Sequence, residues 1–236
     1  MNQFIQISDC HIDDTPDAMG VNTHQNLEKI INKVNTVEHQ MLLITGDLTH
    51  NGTIGSYQTL KQILAPLQSE LLVIPGNHDD QENLNQTFCD QLLQQKKFGN
   101  WEFFSIDSVQ TNKTSGFVTQ KALNQLDQQL SQSSALYQII VLHHPIVPMD
   151  SDWDDALSLE NPNDLFNIVE KHPKIRVILF GHAHESSEFF KDNITIISCP
   201  STALQFNGRN NEKDKIGFNH YTLFDDGEFS YQTLWL

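Results

Sequence analysis

Positive charge is scarce in this sequence of 236 residues. Lysine and arginine together number 14 against 30 aspartates and glutamates, which gives a formal net charge of -16, and the only arginines are Arg176 and Arg209. A protein that follows a nucleic-acid backbone needs clustered lysine and arginine to neutralise the phosphates. We therefore expect no nucleic-acid partner. A small anionic ligand is compatible with this composition, because bound cations would supply concentrated positive charge at the binding site.

Cysteine is also scarce, and long apolar runs are absent. Cys10, Cys89 and Cys199 are odd in number and show no C-x-x-C spacing, which is typical of reduced thiols in a cytoplasm rather than of a disulfide framework. The apolar runs are too short to span a bilayer, and the N-terminus enters a strand-like segment without a signal core. These features predict a cytoplasmic protein with no membrane partner.

Short strand-like runs recur along the chain and alternate with segments of helical periodicity. The runs cover residues 4–7, 41–45, 71–74, 101–106, 138–142, 176–180, 194–198, 220–224 and 229–235. The helical stripes cover residues 27–37, 57–67, 123–130 and 162–169, with Thr23 as the N-cap of the first. The alternation predicts an α/β sheet with further mixed or antiparallel strands near the C-terminus, in one domain of residues 1–236. We expect the acidic stretch 150–160 to be a loop.

Five polar motifs each follow one of the strand-like runs. They are Asp9-x-His11, Gly46-Asp47, Gly76-Asn77-His78-Asp79, His143-His144-Pro145 and Gly181-His182-Ala183-His184. Carboxylate, imidazole and amide ligands without thiolate suit iron, manganese, zinc or cobalt. In open α/β sheets, ligands bind at the carboxyl ends of the strands. The motifs hold seven candidate ligands, enough for two metal ions, and paired ions are typical of phosphate-ester chemistry.

Each motif alone has a simpler explanation, because polar residues and glycine after a strand often form only a turn. The spacing supports a functional interpretation. Residues two apart on a strand share a face, so the side chains of Asp9 and His11 are expected to converge, with Cys10 buried on the other side. Adjacent residues face opposite ways, so at most one of His143 and His144 is expected to bind a metal. Gly181 would let the backbone approach the site closely.

The motif from Gly76 to Asp79 is the most specific of the five. A turn is its simpler explanation. In the functional interpretation the amide oxygen of Asn77 binds a metal, and His78 reaches the leaving group. Asp79 then orients and charges the His78 imidazole. We expect the other histidines, His24, His39, His50, His172 and His220, to be surface or hydrogen-bonded residues.

Taken in order, the five motifs are similar to those of the calcineurin-like metallophosphoesterase superfamily. More narrowly, the chain resembles the bacterial class III cyclic nucleotide phosphodiesterases that degrade cyclic AMP, over nearly its whole length. Two further segments support the narrower resemblance: Gly20-Val21-Asn22-Thr23 and Pro200-Ser201-Thr202-Ala203-Leu204-Gln205-Phe206.

The resemblance implies a four-layer α-β-β-α sandwich of two mixed sheets that holds an iron–manganese pair. Manganese alone, zinc or cobalt would also suit the ligands. By matched position, one ion would bind Asp9, His11, Asp47 and His184. The other would bind Asp47, Asn77, His143 and His182, with Asp47 bridging the two ions.

The implied activity is hydrolysis of 3',5'-cyclic AMP to 5'-AMP. A water that bridges the two ions would lose its proton near neutral pH and attack phosphorus. His78 would protonate the departing oxygen. The residues expected to contact the substrate are His11, Asp47, Asn77, His78 and His184. Four residues are candidate nucleoside contacts: Trp153, Gln205, Phe206 and Arg209. Alternatively, Trp153 and Phe206 are core residues, and Gln205 and Arg209 are exposed to solvent.

Three alternatives stay open. The substrate is another small phosphate ester, such as a glycerophosphodiester or a nucleotide, because metals recognise the phosphate and loops recognise the rest. Alternatively, the chain is a non-catalytic scaffold on the same fold, like the retromer subunit that resembles these enzymes, or an acidic protein with structural metals. The presence of every ligand and of His78 argues against both of the latter. The segment 207–218 is short for the subfamily, which leaves base preference open, and the sequence does not indicate an oligomeric state.

Overall fold

The computed structural model describes residues 1–206 and 215–236, and its strands and helices alternate through most of that part. The strands are β1 Asn2–Ile7, β2 Asp17–Ala18, β3 Val21–Asn22, β4 Met41–Thr45, β5 Glu70–Ile74, β6 Gln95–Phe98, β7 Trp101–Ser105, β8 Tyr137–Val141, β9 Ile175–Phe180, β10 Ser187–Lys191, β11 Ile194–Ser198, β12 Gly217–Leu223 and β13 Phe229–Trp235. The helices are α1 Thr23–Val34, α2 Ile54–Leu64, α3 Gln81–Phe88, α4 Gln120–Gln132, α5 Asp152–Leu157 and α6 Pro162–Val169. None of these described helices is both long and apolar enough to cross a bilayer.

The larger strands form two mixed sheets. A five-stranded sheet has the order β13-β12-β1-β4-β5, and a six-stranded sheet has the order β10-β11-β9-β8-β7-β6. In the first, β1, β4 and β5 are parallel, and β12 and β13 run antiparallel to their neighbours. In the second, β7, β8, β9 and β11 are parallel, and β6 and β10 are antiparallel edge strands. The prediction of two mixed sheets is confirmed.

Three apolar layers hold the sheets and helices together. Side chains such as Phe4 and Phe103 fill the space between the two sheets, where the rings meet edge to face with centroids 5.0 Å apart. The outer face of the five-stranded sheet packs on α1, α2 and α3 through residues such as Leu27. The outer face of the six-stranded sheet packs on α4 and α6 through residues such as Leu126. This arrangement confirms the four-layer α-β-β-α sandwich.

The strands that precede the five motifs end at one side of the sandwich. The strands β1, β4 and β5 are parallel neighbours in one sheet, and β8 and β9 are parallel neighbours in the other. Their carboxyl ends therefore bring all five motifs together, as the position of each motif after a strand predicts.

Two local predictions are wrong. The acidic stretch 150–160 contains the helix α5, because Ser151 caps its amino end and aspartates in its first turn favour the positive end of the helix dipole. Asn22, and not Thr23, caps α1, since Oδ1 of Asn22 accepts a hydrogen bond from the Gln25 backbone at 2.8 Å. The sequence analysis also missed α3, which buries only Leu84 and Phe88 and so shows no apolar stripe.

The inter-sheet layer supplies a stability prediction with a matched control. Phe103 on β7 is fully buried, whereas Phe190 on β10 is 72% exposed in the same sheet. We expect Phe103→Ala to lower the free energy of unfolding by about 3–5 kcal/mol, because it leaves a cavity in a packed core. Phe190→Ala should change it by about 0.5 kcal/mol or less. Urea unfolding followed by circular dichroism measures both, and equal losses would contradict this account of the core.

Candidate functional site

The structure brings all seven predicted ligand residues into one buried cluster. Four overlapping groups each have their donor atoms within 4.8 Å of one another: Asp9, His11 and His184; Asp9, Asp47 and His143; His143, His144 and His182; and His11, His50 and His78. Asn77 joins them, because its Oδ1 lies 3.1 Å from Nε2 of His143. The cluster therefore has the donor types that hard or borderline cations prefer.

One half of the cluster surrounds the end of β1. Nε2 of His11 lies 3.0 Å from Nε2 of His184, which in turn lies 3.4 Å from Oδ1 of Asp9. Oδ2 of Asp47 lies 3.7 Å from Nε2 of His11. Two carboxylates and two imidazoles thus converge on one small volume.

The other half of the cluster surrounds the end of β8. Oδ1 of Asp47 lies 3.5 Å from Nε2 of His143, and Nδ1 of His182 lies 3.2 Å from the same nitrogen. The two oxygens of Asp47 therefore face different halves of the cluster. This is the geometry that a carboxylate shared by two ions would need.

The converging side chains depend on an unusual backbone. Five of the seven residues have positive φ angles between 46° and 64°: Asp9, His11, Asp47, His182 and His184. The strand alternation that we invoked for Asp9 and His11 does not apply, because β1 ends at Ile7. The left-handed conformation turns these side chains inward instead, and aspartate and histidine tolerate it better than branched residues do.

Close backbone contacts hold the loops in this conformation. The Asp9 amide donates to the Gly46 carbonyl at 3.1 Å, and the His11 amide donates to the Asp47 carbonyl at 3.0 Å. A side-chain carbon on Gly181 would collide with Oγ of Ser8 and lie 2.9 Å from Oδ2 of Asp9. The predicted close approach at Gly181 is therefore confirmed.

The orientation of the histidines leaves electron pairs directed into the cluster. Nδ1 of His143 lies 2.8 Å from the Thr45 carbonyl, and Nδ1 of His184 lies 2.8 Å from the Leu204 carbonyl. A proton on each Nδ1 makes these hydrogen bonds and leaves Nε2 as a metal-binding atom. Oδ1 of Asp9 is buried and has no hydrogen-bond donor among the described residues. Cations fit such a cluster, because they would accept the electron pairs of nitrogen and oxygen atoms that the protein leaves facing one another.

The charges of the cluster also suit metal binding. Burial alone would raise the pKa of Asp9, but the nearby His184 and His143 imidazoles lower it to about 2. Burial lowers the pKa of His11 to about 3 against the opposing effect of Asp47. Burial and the neighbouring His143 lower the pKa of His182 to about 4. Ionised carboxylates and neutral imidazoles are the forms that bind metals.

His143 shows how negative the field at Asp47 is. Burial alone would lower the pKa of His143, but the Asp47 carboxylate overcomes this effect and raises the pKa to about 9. His143 in turn holds the pKa of Asp47 well below its usual value against the effect of burial. The buried carboxylates of Asp47 and Asp9 thus create a strong preference for positive charge beside His143.

Asp79 does not orient His78, contrary to the sequence-based prediction. Its carboxylate accepts hydrogen bonds from the backbone amides of Leu48, Thr49 and Gly76 at 2.9–3.1 Å. It also accepts one from the Tyr57 hydroxyl at 2.9 Å. Asp79 therefore ties the loop after β4, which carries the Asp47 carboxylate, to the loop after β5.

The His78 ring has a different partner, which the sequence analysis missed. Its Nδ1 lies 2.8 Å from the backbone carbonyl of His50, and the two rings stack with centroids 5.1 Å apart. Nδ1 of His50 also lies 3.5 Å from Nδ1 of His11. His50 is thus part of the site and not an isolated histidine. Its contacts with His78 and His11 depend on the fold of the loop after β4.

A cavity of about 480 Å³ opens onto the cluster. The metal-binding candidates and His78 line one part of it, and apolar and aromatic side chains line an adjoining part, which we call the aromatic end. Its lining residues are His11, Met19, Asp47, Asn77, His78, Thr114, Trp153, Leu157, His182, His184 and Phe206. The volume falls within the range of small-molecule sites, so the cavity fits a ligand with both an anionic and an apolar part.

Comparison with known proteins identifies the family. A family model described as calcineurin-like phosphoesterase matches residues 3–186. The chain belongs to this family. The calcineurin-like phosphoesterase is 59% identical over 235 residues to a probable cyclic nucleotide phosphodiesterase of Ruthia magnifica subsp. Calyptogena magnifica, covering 100% of this chain and 99% of the relative.

Two further comparisons extend the match. The phosphoesterase is 29% identical over 234 residues to the 3',5'-cyclic adenosine monophosphate phosphodiesterase CpdA of Pseudomonas aeruginosa, covering 95% of this chain and 86% of the relative. Among solved structures, a dimetal phosphatase from Danio rerio superposes with a TM-score of 0.74 at 13% identity, covering 98% of each chain. The structural match supports the fold, and the sequence matches confirm the resemblance to cyclic nucleotide phosphodiesterases.

The remaining residues singled out in the sequence make structural contacts or lie outside the described residues. His144 packs behind His143 and contacts Oγ of Ser108 at 2.8 Å, as expected for a hydrogen-bonded neighbour. Gln205 is buried and bonds the Ser201 backbone, which rules out solvent exposure, one of the two alternatives open for it. Arg209 and most of the segment 207–218 lie outside the described residues. Four other histidines make hydrogen bonds of the expected kind, two of them to residues distant in the sequence: His24, His39, His172 and His220.

The corrected role of Asp79 leads to a stability prediction. Asp79→Asn keeps the size of the side chain but turns an NH2 group toward amide and hydroxyl donors, so we expect the free energy of unfolding to fall by about 2–5 kcal/mol. Tyr57→Phe removes one of these hydrogen bonds and should cost about 1 kcal/mol. Urea unfolding at pH 7 with and without a chelator separates this effect from metal loss. An Asp79→Asn protein as stable as the unmutated one would show that Asp79 does not tie the two loops.

Proposed function

We propose that this phosphoesterase is a dinuclear metal-dependent phosphodiesterase that hydrolyses 3',5'-cyclic nucleotides, cyclic AMP among them, to 5'-monophosphates. One observation supports the proposal most strongly. The two oxygens of Asp47 face two groups of metal-binding atoms, and these groups adjoin the aromatic end of the same cavity. Such a cavity suits a phosphodiester joined to a flat apolar group. The names of the sequence relatives agree with this substrate class.

Two cations would occupy the two halves of the cluster. The first would bind Asp9, His11, Asp47 and His184, and the second would bind Asp47, Asn77, His143 and His182. Bound there, the cations would act as Lewis acids on the phosphate and activate water. We propose iron and manganese as the pair, with manganese alone, zinc or cobalt as other metals that suit this donor set.

The residues of the chain would bind the phosphate and move the proton. His11, Asp47, Asn77, His78 and His184 all line the cavity. The His50 carbonyl accepts the Nδ1 proton of His78, so Nε2 is the ring atom that the imidazolium form would use to pass a proton to the departing 3' oxygen. The amide nitrogen of Asn77 can donate to a non-bridging phosphate oxygen, because its Oδ1 faces the cluster.

A non-catalytic scaffold is a weaker interpretation of the same site. A scaffold has no need for the buried carboxylates, the left-handed backbone and His78 to converge in one open cavity. The three cysteines are unpaired, with Cys10 and Cys199 buried and Cys89 exposed, and on that ground we propose a cytoplasmic location. We also propose that residues 1–236 form one domain with a small-molecule partner.

The proposed function is tested by manganese-supplemented hydrolysis of 3',5'-cyclic AMP with chromatography of the products. We expect 5'-AMP from the unmutated protein and none from Asp47→Ala, which should also lose both metals. His78→Ala should keep its metals and lose roughly 100- to 10,000-fold in rate, because it lacks only the proton donor. Metal content by mass spectrometry accompanies each rate.

Asp90→Ala, at an exposed carboxylate away from the cavity, is the control and should match the unmutated protein in both readouts. Cleavage of an aryl phosphodiester without cleavage of cyclic AMP would retain the metal site and reject the substrate. Turnover that persists after complete removal of metal would reject the mechanism.

A further inference from the structure

The aromatic end of the cavity is built from two elements that approach from different parts of the chain. Trp153 lies on α5, and Phe206 follows β11 and the loop that begins at Pro200. The two rings meet edge to face with centroids 5.1 Å apart. Phe206 also stacks on the His184 imidazole at 4.0 Å with nearly parallel planes. The aromatic end is therefore fixed directly beside the donor cluster.

Trp153 is exposed in a way that core packing does not explain. Its side chain is 55% accessible, although large aromatic residues usually bury most of their surface. Leu157, one helical turn later, lines the same cavity, so α5 presents one apolar face to it. An aromatic ring that stays open at the mouth of a cavity is available to stack on a flat ligand.

We propose that Trp153 and Phe206 form a nucleobase-binding wall that recognises the base of the substrate by stacking. The inference rests on the proposed function and adds how that substrate is selected. The donor cluster with bound cations would attract the phosphate, because opposite charges attract strongly where water is excluded. The neutral base therefore occupies the aromatic end.

The lining residues also determine how well bases are distinguished. Apart from the predicted metal ligands and His78, the hydroxyl of Thr114 and the indole N–H of Trp153 are the polar side-chain groups that line the cavity among residues 1–206 and 215–236. Hydrogen bonds to the base edge carry strong discrimination, whereas stacking accepts any flat base. We therefore expect purines to be preferred over pyrimidines and adenine to be distinguished from guanine by less than about 10-fold.

The test compares Trp153→Ala with the unmutated protein on four substrates in manganese. These are 3',5'-cyclic AMP, 3',5'-cyclic GMP, 3',5'-cyclic UMP and 1-O-methylribose 3',5'-cyclic phosphate, which lacks a base. We expect Trp153→Ala to lower the ratio of kcat/KM for cyclic AMP over the base-free ester by about 5- to 100-fold. The change should appear mainly in KM. Trp153→Phe, which retains an aromatic face, should recover most of the ratio.

Phe190→Ala removes an exposed aromatic side chain outside the cavity and should leave the ratio unchanged. Quenching of tryptophan fluorescence by 5'-AMP gives a second readout that does not need turnover, and it should be lost in Trp153→Phe. An unchanged ratio in Trp153→Ala, or a preference above about 10-fold for cyclic AMP over cyclic GMP, would overturn the proposed wall. Quenching through Trp153 without hydrolysis of any cyclic nucleotide would uphold the wall and reject the proposed function.

Discussion

The Asp47 carboxylate lies where the carboxyl ends of the two sheets meet, and its oxygens face two different groups of donors. Asp9 and the surrounding histidines are buried with it, so charge that water would solvate elsewhere must be balanced within the protein. The raised pKa of His143 and the lack of a hydrogen-bond donor to Oδ1 of Asp9 among the described residues are two consequences of this arrangement. Cations would relieve both, so the cluster is best understood as one electrostatic unit that metal binding completes.

The fold maintains this unit by holding unfavourable local conformations in place. Left-handed backbone at aspartate and histidine residues costs free energy, and it persists where the surroundings fix it firmly. Here the loops after β1 and β4 bond each other, Gly181 lets the loop after β9 pack against Asp9, and Asp79 ties two more loop segments together. The four-layer sandwich provides the rigid frame, because the strands that precede these loops are buried on both faces.

The sequence predicted the features that depend on local pattern. Apolar runs such as 41–45 and 229–235 coincide with strands, and the polar motifs that follow five of the strands converge as expected. The features that depend on contacts between loops were not predictable. His50 enters the site through its ring stacking and its carbonyl, and Asp79 binds backbone amides of a loop about thirty residues away. The helix α5 is too short and too acidic to show periodicity, although its Ser151 cap and first-turn aspartates were visible signals.

The proposed sharing of Asp47 by two cations can be tested by anomalous diffraction from crystals soaked in manganese. We expect two anomalous peaks per chain, roughly 3.5–4 Å apart, with one oxygen of Asp47 bound to each. The nitrogen ligands should divide into the two groups described above, with His11 and His184 on one ion and His143 and His182 on the other. A single peak, or two peaks that do not share Asp47, would contradict the account.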